Sequence, residues 1–257
     1  MKLVSWNVNG LNACIRKGGF DQLIDLLPDV ICLQETKVKN EIDVISGYHH
    51  YYVSSSRNAY SGCLIMSLEE PKKIIYGMGN DVFDEEARVI AAEYPDFFIV
   101  NSYFPNTVDK IGRGLFRLEW TKCYRRFVKG LVHEKEVILC GDFNVTLTEL
   151  DYDRENEKRY RMEEEGFISD ERLAIEELLS LGFIDSFREL YPDRGDVFSH
   201  WSVKSGERSE KRGARLDYFF STKEIATHVG DVKYHPGITG SDHCPVELVM
   251  EGVLYNG

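Results

Sequence analysis

The sequence predicts an α/β fold in which two packed β-sheets are covered by helices. Short apolar runs rich in β-branched and aromatic residues recur along the chain, and their continuous apolar character indicates strands buried on both faces. Fewer segments show helical periodicity, and strands with helices on both sides favour an α/β sandwich. The predicted strands read KLVSWNV, VICLQ, CLIMS, RVIAAEY, FFIVNSY, EVILCG, DYFFS and PVELVM.

Three segments have the pattern of helices. Residues 21–27 predict a short helix, and residues 115–132 place apolar side chains close to a helical stripe. A third helix is predicted over residues 170–181. Ser169 suits its N-cap, the acids that follow suit the positive helix end, and Gly182 suits its stop.

The length of 257 residues and the hydrophobic content of 43% allow one large domain or two small ones. The polar motifs described below are spread over the chain and can share a site only if the chain is undivided, so we interpret residues 1–257 as a single domain. The start of the sequence lacks the pattern of a secretory signal, and no apolar run reaches membrane-spanning length. We expect a soluble, cytoplasmic monomer without a membrane partner.

The sequence contains six cysteines, which raises the question of disulfides or zinc. Cys32, Cys63 and Cys140 lie inside predicted strands, and no CxxC pair occurs. This pattern predicts buried thiols in a reducing compartment and argues against structural zinc.

The net charge of −12 opposes binding to a polyanion. A nucleic-acid enzyme of this composition needs local basic patches, or a divalent cation that offsets its carboxylates. The sequence contains two basic runs, and runs of this kind are more often solvated faces than binding sites. The first candidate run contains Lys204, Arg208, Lys211, Arg212 and Arg215, of which Arg215 is a candidate DNA contact; the second contains Arg113, Arg117, Lys122, Arg125, Arg126 and Lys129.

Four short polar strings end or adjoin the predicted strands. A single string is weak, because a carboxylate after a strand is usually a solvated loop residue. Four in one chain predict that strand ends deliver their side chains to a common edge, where they build a phosphodiester-cleaving metal site. The strings place Asn7 in SWNVNG, Glu35 in CLQETK, Asp142 and Asn144 in CGDFN, and Asp242 and His243 in SDHCPV.

Glu35 and Asn7 are the candidate metal ligands. Phosphodiester hydrolysis requires a positioned water and stabilisation of the developing charge and of the leaving oxygen. Hard oxygen ligands suit Mg²⁺, which keeps several waters and therefore needs only two or three protein ligands. Taken alone, Glu35 is about as well explained as a solvated acid at the end of a strand.

Asp142 and Asn144 follow an apolar run. Partial burial beside Phe143 would raise the pKa of the Asp142 carboxyl and favour a role as general base, while Asn144 would donate a hydrogen bond to the phosphate. An Asx turn after a strand explains the pair equally simply, and in isolation the turn is the better interpretation.

His243 is a candidate cationic donor to the phosphate if a carboxylate orients its ring, and Asp217 in RLDYFF is the best candidate for that carboxylate. Tyr103 in SYFPN ends a strand, so its phenol can assist the nucleophile or bind phosphate. The ordinary alternatives are a structural histidine in a loop and a tyrosine that only packs.

In their order along the chain, WNVNG, LQETK, YSG, YFPN, GDFN, DSFR, RLDYF and GSDHCPV resemble the exonuclease III family of DNA-repair nucleases, within the endonuclease/exonuclease/phosphatase superfamily. The resemblance runs from Lys2 to about Val249. It implies a four-layer α/β sandwich with two packed mixed sheets. The implied activities are Mg²⁺-dependent cleavage 5′ to abasic sites in double-stranded DNA, 3′-to-5′ exonuclease action and cleaning of 3′ ends, with Mn²⁺ able to substitute.

The resemblance also implies residue roles. Asn7 and Glu35 match metal ligands, assisted by Asp242. Asn106 and Tyr60 match residues that contact the DNA backbone. The matching catalytic positions are Tyr103, Asp142, Asn144, Asp217 and His243.

Two departures from the family pattern concern the substrate. Ala214 stands where a tryptophan usually lines the pocket for an extruded abasic sugar, and His200 stands where a second aromatic is expected, so we expect His200 to face DNA in an altered pocket. The loop before Gly166 is longer and ends in three glutamates, Glu163, Glu164 and Glu165, and the turn after Asn106 is also extended.

Three functions follow for comparison. The first is a DNA-repair phosphodiesterase that acts on abasic sites and 3′ ends. The second keeps the chemistry but restricts it to 3′ termini, as an exonuclease or phosphatase. The third is a non-catalytic binding module, which we favour least because no ligand or base is missing.

Overall fold

A computed structural model describes residues 1–252 except 108–110, 154–166, 203–207 and 209–211. Its strands form two six-stranded mixed sheets. The first sheet consists of β1 (Lys2–Asn7), β2 (Val30–Gln34), β3 (His49–Val53), β4 (Cys63–Ser67), β11 (Val229–Tyr234) and β12 (Val246–Met250). The second consists of β5 (Lys73–Tyr76), β6 (Val89–Glu93), β7 (Phe97–Tyr103), β8 (Glu136–Asp142), β9 (Phe183–Asp185) and β10 (Asp217–Thr222).

The two sheets share one plan. The first has the order β11–β12–β1–β2–β4–β3, and the second has the order β5–β6–β7–β8–β10–β9. In each sheet the two central strands are parallel, β1 with β2 and β7 with β8, and every other pairing is antiparallel. The carboxyl ends of the central strands therefore lie side by side in each sheet.

The sheets pack face to face around a shared core. Alternate residues of each strand face opposite sides, so Leu3 packs between the sheets while Val4 faces outward. Ile65 and Ile138 bring the two sheets together in the inner core. Because both faces of the central strands are covered, their sequences are mostly apolar.

Helices cover the outer face of each sheet. Leu11 and Leu23 pack against the first sheet from α1 (Leu11–Arg16) and α2 (Gly19–Ile24). Trp120 and Ile175 pack against the second sheet from two longer helices. Burial of each such large apolar side chain contributes about 1.5–3 kcal/mol. The remaining helices are α3 (Asp81–Asp84), α4 (Ile111–Glu134), α5 (Phe167–Leu179), α6 (Ser186–Leu190) and α7 (Lys223–Ala226), with a 3₁₀ turn at Glu149–Asp151.

These layers confirm the predicted four-layer α/β sandwich. The predicted central strands are present, whereas four strands were missed. These are β3, β5, β9 and β11, which lie at sheet edges, where exposed or half-buried positions break the apolar run. Edge strands of this kind lack the signal that identifies buried ones.

The helices differ from the prediction mainly at their ends. The first predicted helix lies at Gly19–Ile24. The helix predicted over residues 115–132 extends to Ile111–Glu134. The helix predicted over residues 170–181 is Phe167–Leu179, so its predicted N-cap Ser169 lies inside it, while Gly182 follows it with a left-handed backbone.

The predicted burial of the thiols is confirmed, since all six cysteines are free and buried. Among the described residues, no helix is long and apolar enough to cross a membrane. Two sequence features lie outside the described residues: Lys204 and Lys211 of the first basic run, and the glutamates at 163–165.

Candidate active site

The carboxyl ends of the four central strands meet at one edge of the sandwich. Asn7 ends β1, Glu35 follows β2, Tyr103 ends β7 and Asp142 ends β8. Tyr103 and Asp142 are register partners across β7 and β8. The central strands thus bring together the residues that the polar strings predicted.

Asn7 connects the two sheets at this edge. It is fully buried, and its Nδ2 donates hydrogen bonds to Glu35 Oε1 at 2.9 Å and to Asp142 Oδ2 at 2.8 Å. The Oδ1 atom of Asn7 accepts the backbone N–H of Asn9 at 3.0 Å. One amide thereby fixes the positions of two carboxylates that come from different sheets.

Glu35 occupies a strained backbone position. Its φ is 51°, a left-handed conformation that a side chain other than glycine adopts only at a cost. Burial of the carboxyl opposes ionisation, but Lys37 at 2.8 Å, together with hydrogen bonds from Asn7 and Tyr103, lowers the pKa of Glu35 below its usual value. Glu35 is therefore a carboxylate at neutral pH.

Asp142 is 1% exposed, and burial raises the pKa of its carboxyl to about 7 despite the neighbouring His243. The residue before it, Gly141, and the second residue after it, Asn144, explain its position. Gly141 has a φ of 132° and lies where a Cβ atom would be 1.9 Å from the Ser102 carbonyl oxygen, so only glycine fits. The backbone N–H of Asn144 donates to Asp142 Oδ1 at 2.8 Å.

Asn144 forms both the turn and part of the site. Its φ is 50°, as an Asx turn allows, and its Nδ2 donates to the Phe104 carbonyl at 2.9 Å. The same Nδ2 lies 3.3 Å from Asp142 Oδ2. The turn interpretation and the functional one are therefore compatible, because the turn brings the amide beside the carboxylate.

His243 pairs with Asp217 beside Asp142. Asp217 begins β10 and is the register partner of Asp142 across β8. Its Oδ2 lies 2.7 Å from His243 Nδ1, and His243 Nε2 lies 3.8 Å from Asp142 Oδ2. Burial opposes the charge on His243, but Asp217 and Asp142 raise its pKa to about 10, so the ring is an imidazolium at neutral pH.

Asp242 lies at the margin of this group. Its Oδ1 accepts hydrogen bonds from Asn9 Nδ2 at 3.0 Å and from Ser241 Oγ at 3.1 Å. Burial acts against ionisation of its carboxyl, but His243 and His200 lower its pKa. Through Asn9, which also bonds Lys37, Asp242 joins the neighbourhood of Glu35.

The donor atoms fit a divalent cation. Ionised Glu35 offers hard oxygens, the ligands that Mg²⁺ prefers, and Asn7 Oδ1, which accepts one hydrogen bond from Asn9, keeps a second acceptor site. Asp142, Asp217 and His243 form a second, buried group whose ligand atoms lie within 4.8 Å of one another. That group includes an imidazole, which suits transition metals better than Mg²⁺, and Asp217 already holds it by a hydrogen bond.

A cluster of arginines that was not predicted as part of the site supports Tyr103. Arg88 is 3% exposed; its guanidinium lies 4.4 Å from the centre of the Tyr103 ring, and its Nη1 donates to the Tyr103 carbonyl at 3.2 Å. Glu86 accepts hydrogen bonds from Arg88 and Arg113, which together hold its pKa at about 2 against the effect of burial. Arg88 directly precedes β6, and an arginine beside an apolar run carries no sequence signal for this role.

Tyr60 belongs to the same cluster. Its hydroxyl accepts hydrogen bonds from Arg88 at 3.0 Å and from Arg113 at 3.2 Å. Asn106, the second predicted DNA contact, is exposed on the loop after Tyr103. Both residues therefore lie close in the chain or in space to Tyr103, at the rim of the site.

His200 reaches the site, and Ala214 lies behind it. The rings of His200 and His243 are 4.7 Å apart between centroids. Ala214 is 1% exposed and exchanges backbone hydrogen bonds with His200. His200 and Ala214, the two residues that depart from the family pattern, thus lie close to His243, the predicted catalytic histidine.

Arg215 corrects one prediction. It is 0% exposed, its Nε donates to Asp151 Oδ1 at 2.8 Å, and its Nη2 donates to Asp185 Oδ2 at 2.7 Å. A guanidinium buried between two carboxylates cannot reach a DNA backbone, so its assignment as a DNA contact is wrong. The basic sequence run suggested a surface residue, whereas its two partners are distant in the chain.

The second basic run is divided in the same way. Arg117 is 1% exposed and donates to the carbonyls of Pro105 and Phe143. Farther along α4, Lys122 pairs with Glu119, and Arg125 pairs with Glu177. The run therefore stabilises the loops beneath the site and a helix surface, and does not form one continuous basic face.

Buried strand ends that carry carboxylates, amides and an aspartate–histidine pair above a two-sheet sandwich are the arrangement of a phosphodiester hydrolase. The profile of the Endonuclease/Exonuclease/phosphatase family matches residues 4–243. The chain belongs to this family.

Relatives support a narrower placement. An exodeoxyribonuclease of Bacillus subtilis (strain 168) is 40% identical over 253 residues, 97% of this chain and 99% of the relative. The DNA repair nuclease APEX1 of Danio rerio is 40% identical over 261 residues, covering 97% of this chain and 82% of the relative. The resemblance to the exonuclease III family of DNA-repair nucleases is confirmed, and the chain is a hydrolase of the nuclease kind.

Solved structures agree with this placement. The 3′ phosphatase NExo from Neisseria bound to product DNA hairpin has a TM-score of 0.85 at 26% identity, with 98% of this chain and 99% of that chain covered. An AP endonuclease from Archaeoglobus fulgidus has a TM-score of 0.84 at 25% identity, with 97% and 99% covered.

The burial of Arg215 predicts the effect of its removal. Arg215→Met leaves the carboxylate of Asp185 without its partner, and loss of one member of a buried ion pair costs about 3–5 kcal/mol. We expect the free energy of unfolding in urea to fall by that amount, with unchanged DNA affinity.

The matched control for this measurement is Arg125→Met. Its ion pair with Glu177 is exposed, and such pairs contribute about 0–1 kcal/mol. A stable Arg215→Met protein with weakened DNA binding would restore the surface assignment of Arg215.

Proposed function

We propose that this chain hydrolyses phosphodiester bonds of double-stranded DNA with a divalent cation, Mg²⁺ or its substitute Mn²⁺. Its first substrate is DNA that contains abasic sites, which it cleaves on the 5′ side of each site. Its second substrate is DNA with 3′ ends, which it shortens as a 3′-to-5′ exonuclease or cleans. The observation that carries the proposal is the buried group in which Asp142 lies between Asn7, Asn144 and His243. The names of the relatives, a DNA repair nuclease and an exodeoxyribonuclease among them, support DNA as the substrate.

In this proposal, Glu35 and Asn7 would hold the cation, with Asp242 assisting. The bound cation would polarise the phosphate and neutralise part of its charge. It would also offset the net charge of −12, which otherwise opposes association with DNA. Lys37, whose Nζ lies 2.8 Å from Glu35 Oε2, is 27% exposed in its side chain and so has room to turn aside.

Asp142 acts as the general base. A carboxyl with a pKa of about 7 is ionised in part at neutral pH and retains the basicity to accept a proton from water. The water oxygen forms a bond to phosphorus, its proton passes to Asp142, and the bond from phosphorus to the leaving oxygen breaks on the opposite side. Asn7 and Asn144 hold the carboxylate in place for this transfer.

His243 stabilises the charge that develops on the phosphate, and Asn144 assists when its Nδ2 exchanges the 3.3 Å contact with Asp142 for a phosphate oxygen. His243 is cationic at neutral pH because Asp217 supports its protonated form. Donors that are fixed before the reaction require no reorganisation during it, which makes them effective. Tyr103, whose ring and carbonyl are held by Arg88, offers its phenol to the phosphate or the nucleophile.

The substrate binds across the rim of the site. Tyr60, Asn106 and His200 are the proposed DNA contacts. Tyr60 bonds Arg88, which holds Tyr103, while Asn106 follows Tyr103 on its loop and His200 packs on His243. Because the proposed site combines residues from position 7 to position 243, residues 1–257 work as one domain. We further propose a monomer that works in the cytoplasm.

A second candidate function is cleavage restricted to 3′ termini, as an exonuclease or phosphatase. The specific observation is that His200, packed 4.7 Å from His243, and the small Ala214 replace the two aromatics that the family pattern offers to an extruded abasic sugar. The structural relative from Neisseria is described as a 3′ phosphatase, which agrees with this narrower reaction. A non-catalytic binding module is the least favoured alternative, because it leaves the Asp142 group without a purpose.

The function is tested with two labelled duplexes, one with an internal abasic analogue and one with a recessed 3′ end. We expect Mg²⁺-dependent cleavage by the wild-type chain, and a loss of about 10²- to 10⁴-fold in Asp142→Asn, as removal of a general base typically causes. DNA binding by Asp142→Asn should remain measurable. The matched control is Asp96→Asn, a change at an exposed turn.

The pattern of cleavage separates the candidates. Cleavage of both duplexes supports the broad repair function. Cleavage of the 3′ end alone supports the terminus-specific function, and cleavage of neither contradicts both. Full activity in Asp142→Asn would remove Asp142 from its role as base.

The role of Glu35 is tested by metal binding. Glu35→Gln keeps the shape of the side chain but removes its charge, so the affinity for Mn²⁺, measured by electron paramagnetic resonance without DNA, should fall at least about tenfold. Glu93→Gln, which removes a carboxylate paired with Lys135 far along the chain, is the control. Unchanged Mn²⁺ affinity in Glu35→Gln would assign the cation to other residues.

A further inference from the structure

Ser199 lies where the two chain segments of the Asp217–His243 pair approach each other. It is 0% exposed. The residue after it, His200, forms isolated β-bridges to Ala214 and to His243. Ser199 therefore lies between the start of β10, which carries Asp217, and the loop that carries His243.

The hydroxyl of Ser199 holds the start of β10. Its Oγ accepts the backbone N–H of Leu216 at 2.9 Å and the backbone N–H of Asp217 at 3.1 Å. A hydroxyl oxygen has two acceptor sites, so both are used. The hydroxyl thus fixes the backbone of the residue whose carboxylate orients His243.

This bond replaces a strand partner that β10 lacks at that point. The neighbouring strand β9 pairs only with Phe220, Ser221 and Thr222. The first residues of β10 therefore have a strand neighbour on one side, β8, where Asp217 faces Asp142. A buried N–H without a partner is unfavourable, and the Ser199 hydroxyl avoids this.

The backbone of Ser199 holds the other member of the pair. Its carbonyl accepts the N–H of Cys244, the residue after His243, at 2.8 Å, and its own N–H donates to the Ala214 carbonyl at 3.0 Å. Ser199 thus bonds the chain segments of both Asp217 and His243, whose side chains are 2.7 Å apart.

We propose that Ser199 is a positioning residue, which sets the distance between Asp217 and His243 by bonding both of their chain segments. The proposal rests on the proposed function for its kinetic consequence, because an orienting carboxylate matters only if His243 serves the reaction. The hydrogen-bonded geometry itself is independent of that function, and the two can be tested separately.

The first test is the proton resonance of His243 Nδ1 in the metal-free protein. A hydrogen bond at 2.7 Å to a carboxylate gives this proton a strongly downfield NMR signal. In Ser199→Ala the backbone of Asp217 loses its anchor, so the signal should move upfield or broaden. Ser221→Ala is the matched control, since it removes a buried hydroxyl from β10, the strand that Asp217 begins, where Ser221 bonds Ser186 at 2.9 Å.

The second test is kinetic. We expect kcat for DNA cleavage to fall about 10- to 100-fold in Ser199→Ala, as misplacement of a catalytic group by about an ångström does. KM should stay within twofold, because Ser199 contacts no substrate. Ser221→Ala should leave both constants unchanged, although it too loses a buried hydrogen bond.

Ser199→Cys keeps the test decisive if the alanine variant fails to fold. A thiol has nearly the same shape but accepts weaker hydrogen bonds, so an intermediate upfield shift and an intermediate loss of kcat are expected. An unchanged Nδ1 signal in a folded variant would overturn the proposal. If the wild-type chain does not cleave DNA, the proposed function fails, while the NMR result still decides the role of Ser199.

Discussion

The common edge at which the four central strands end is the constraint on which the site depends. Because β1 and β2 run parallel, and β7 and β8 do the same, their last residues converge, and the packing of the sheets brings the two pairs together. Buried polar contacts fix this packing beneath the site: Gln34 Nε2 donates to Asn101 Oδ1 at 2.7 Å, from one sheet to the other. Such contacts specify one alignment of the sheets, since a shift would leave polar groups unpaired.

The chemistry of the site follows from burying several ionisable groups at that edge. Desolvation raises the pKa of Asp142, which makes the carboxylate a stronger base, and the nearby carboxylates keep His243 protonated. The same burial is unfavourable for folding unless each charge has partners, which Asn7, Asn144 and Asp217 provide. The left-handed backbone of Glu35 and Asn144 is also unfavourable for folding, and the packing of the surrounding sheets offsets it.

The sequence was most informative where a polar residue directly follows a buried strand. The apolar runs predicted the central strands. The polar residues at the ends of these runs indicated Asn7, Glu35 and Asp142, because an apolar run fixes both where a strand ends and which edge its last residue reaches. The sequence signal failed where the outcome depends on distant partners. Arg215 lies in a basic run that is typical of a surface, yet it is buried and paired with Asp151 and Asp185. The edge strands were missed because they carry no apolar run.

The protonation of Asp142 is the most direct test of this account. We would label aspartate with ¹³C and follow the carboxyl carbon of Asp142 by NMR in the metal-free protein as pH rises. Burial of the carboxyl predicts a midpoint near 7, with the carboxyl protonated below it and able to act as a base above it. A midpoint near the ordinary aspartate value of about 4 would mean that the carboxyl is solvated, and would contradict a buried general base at this edge.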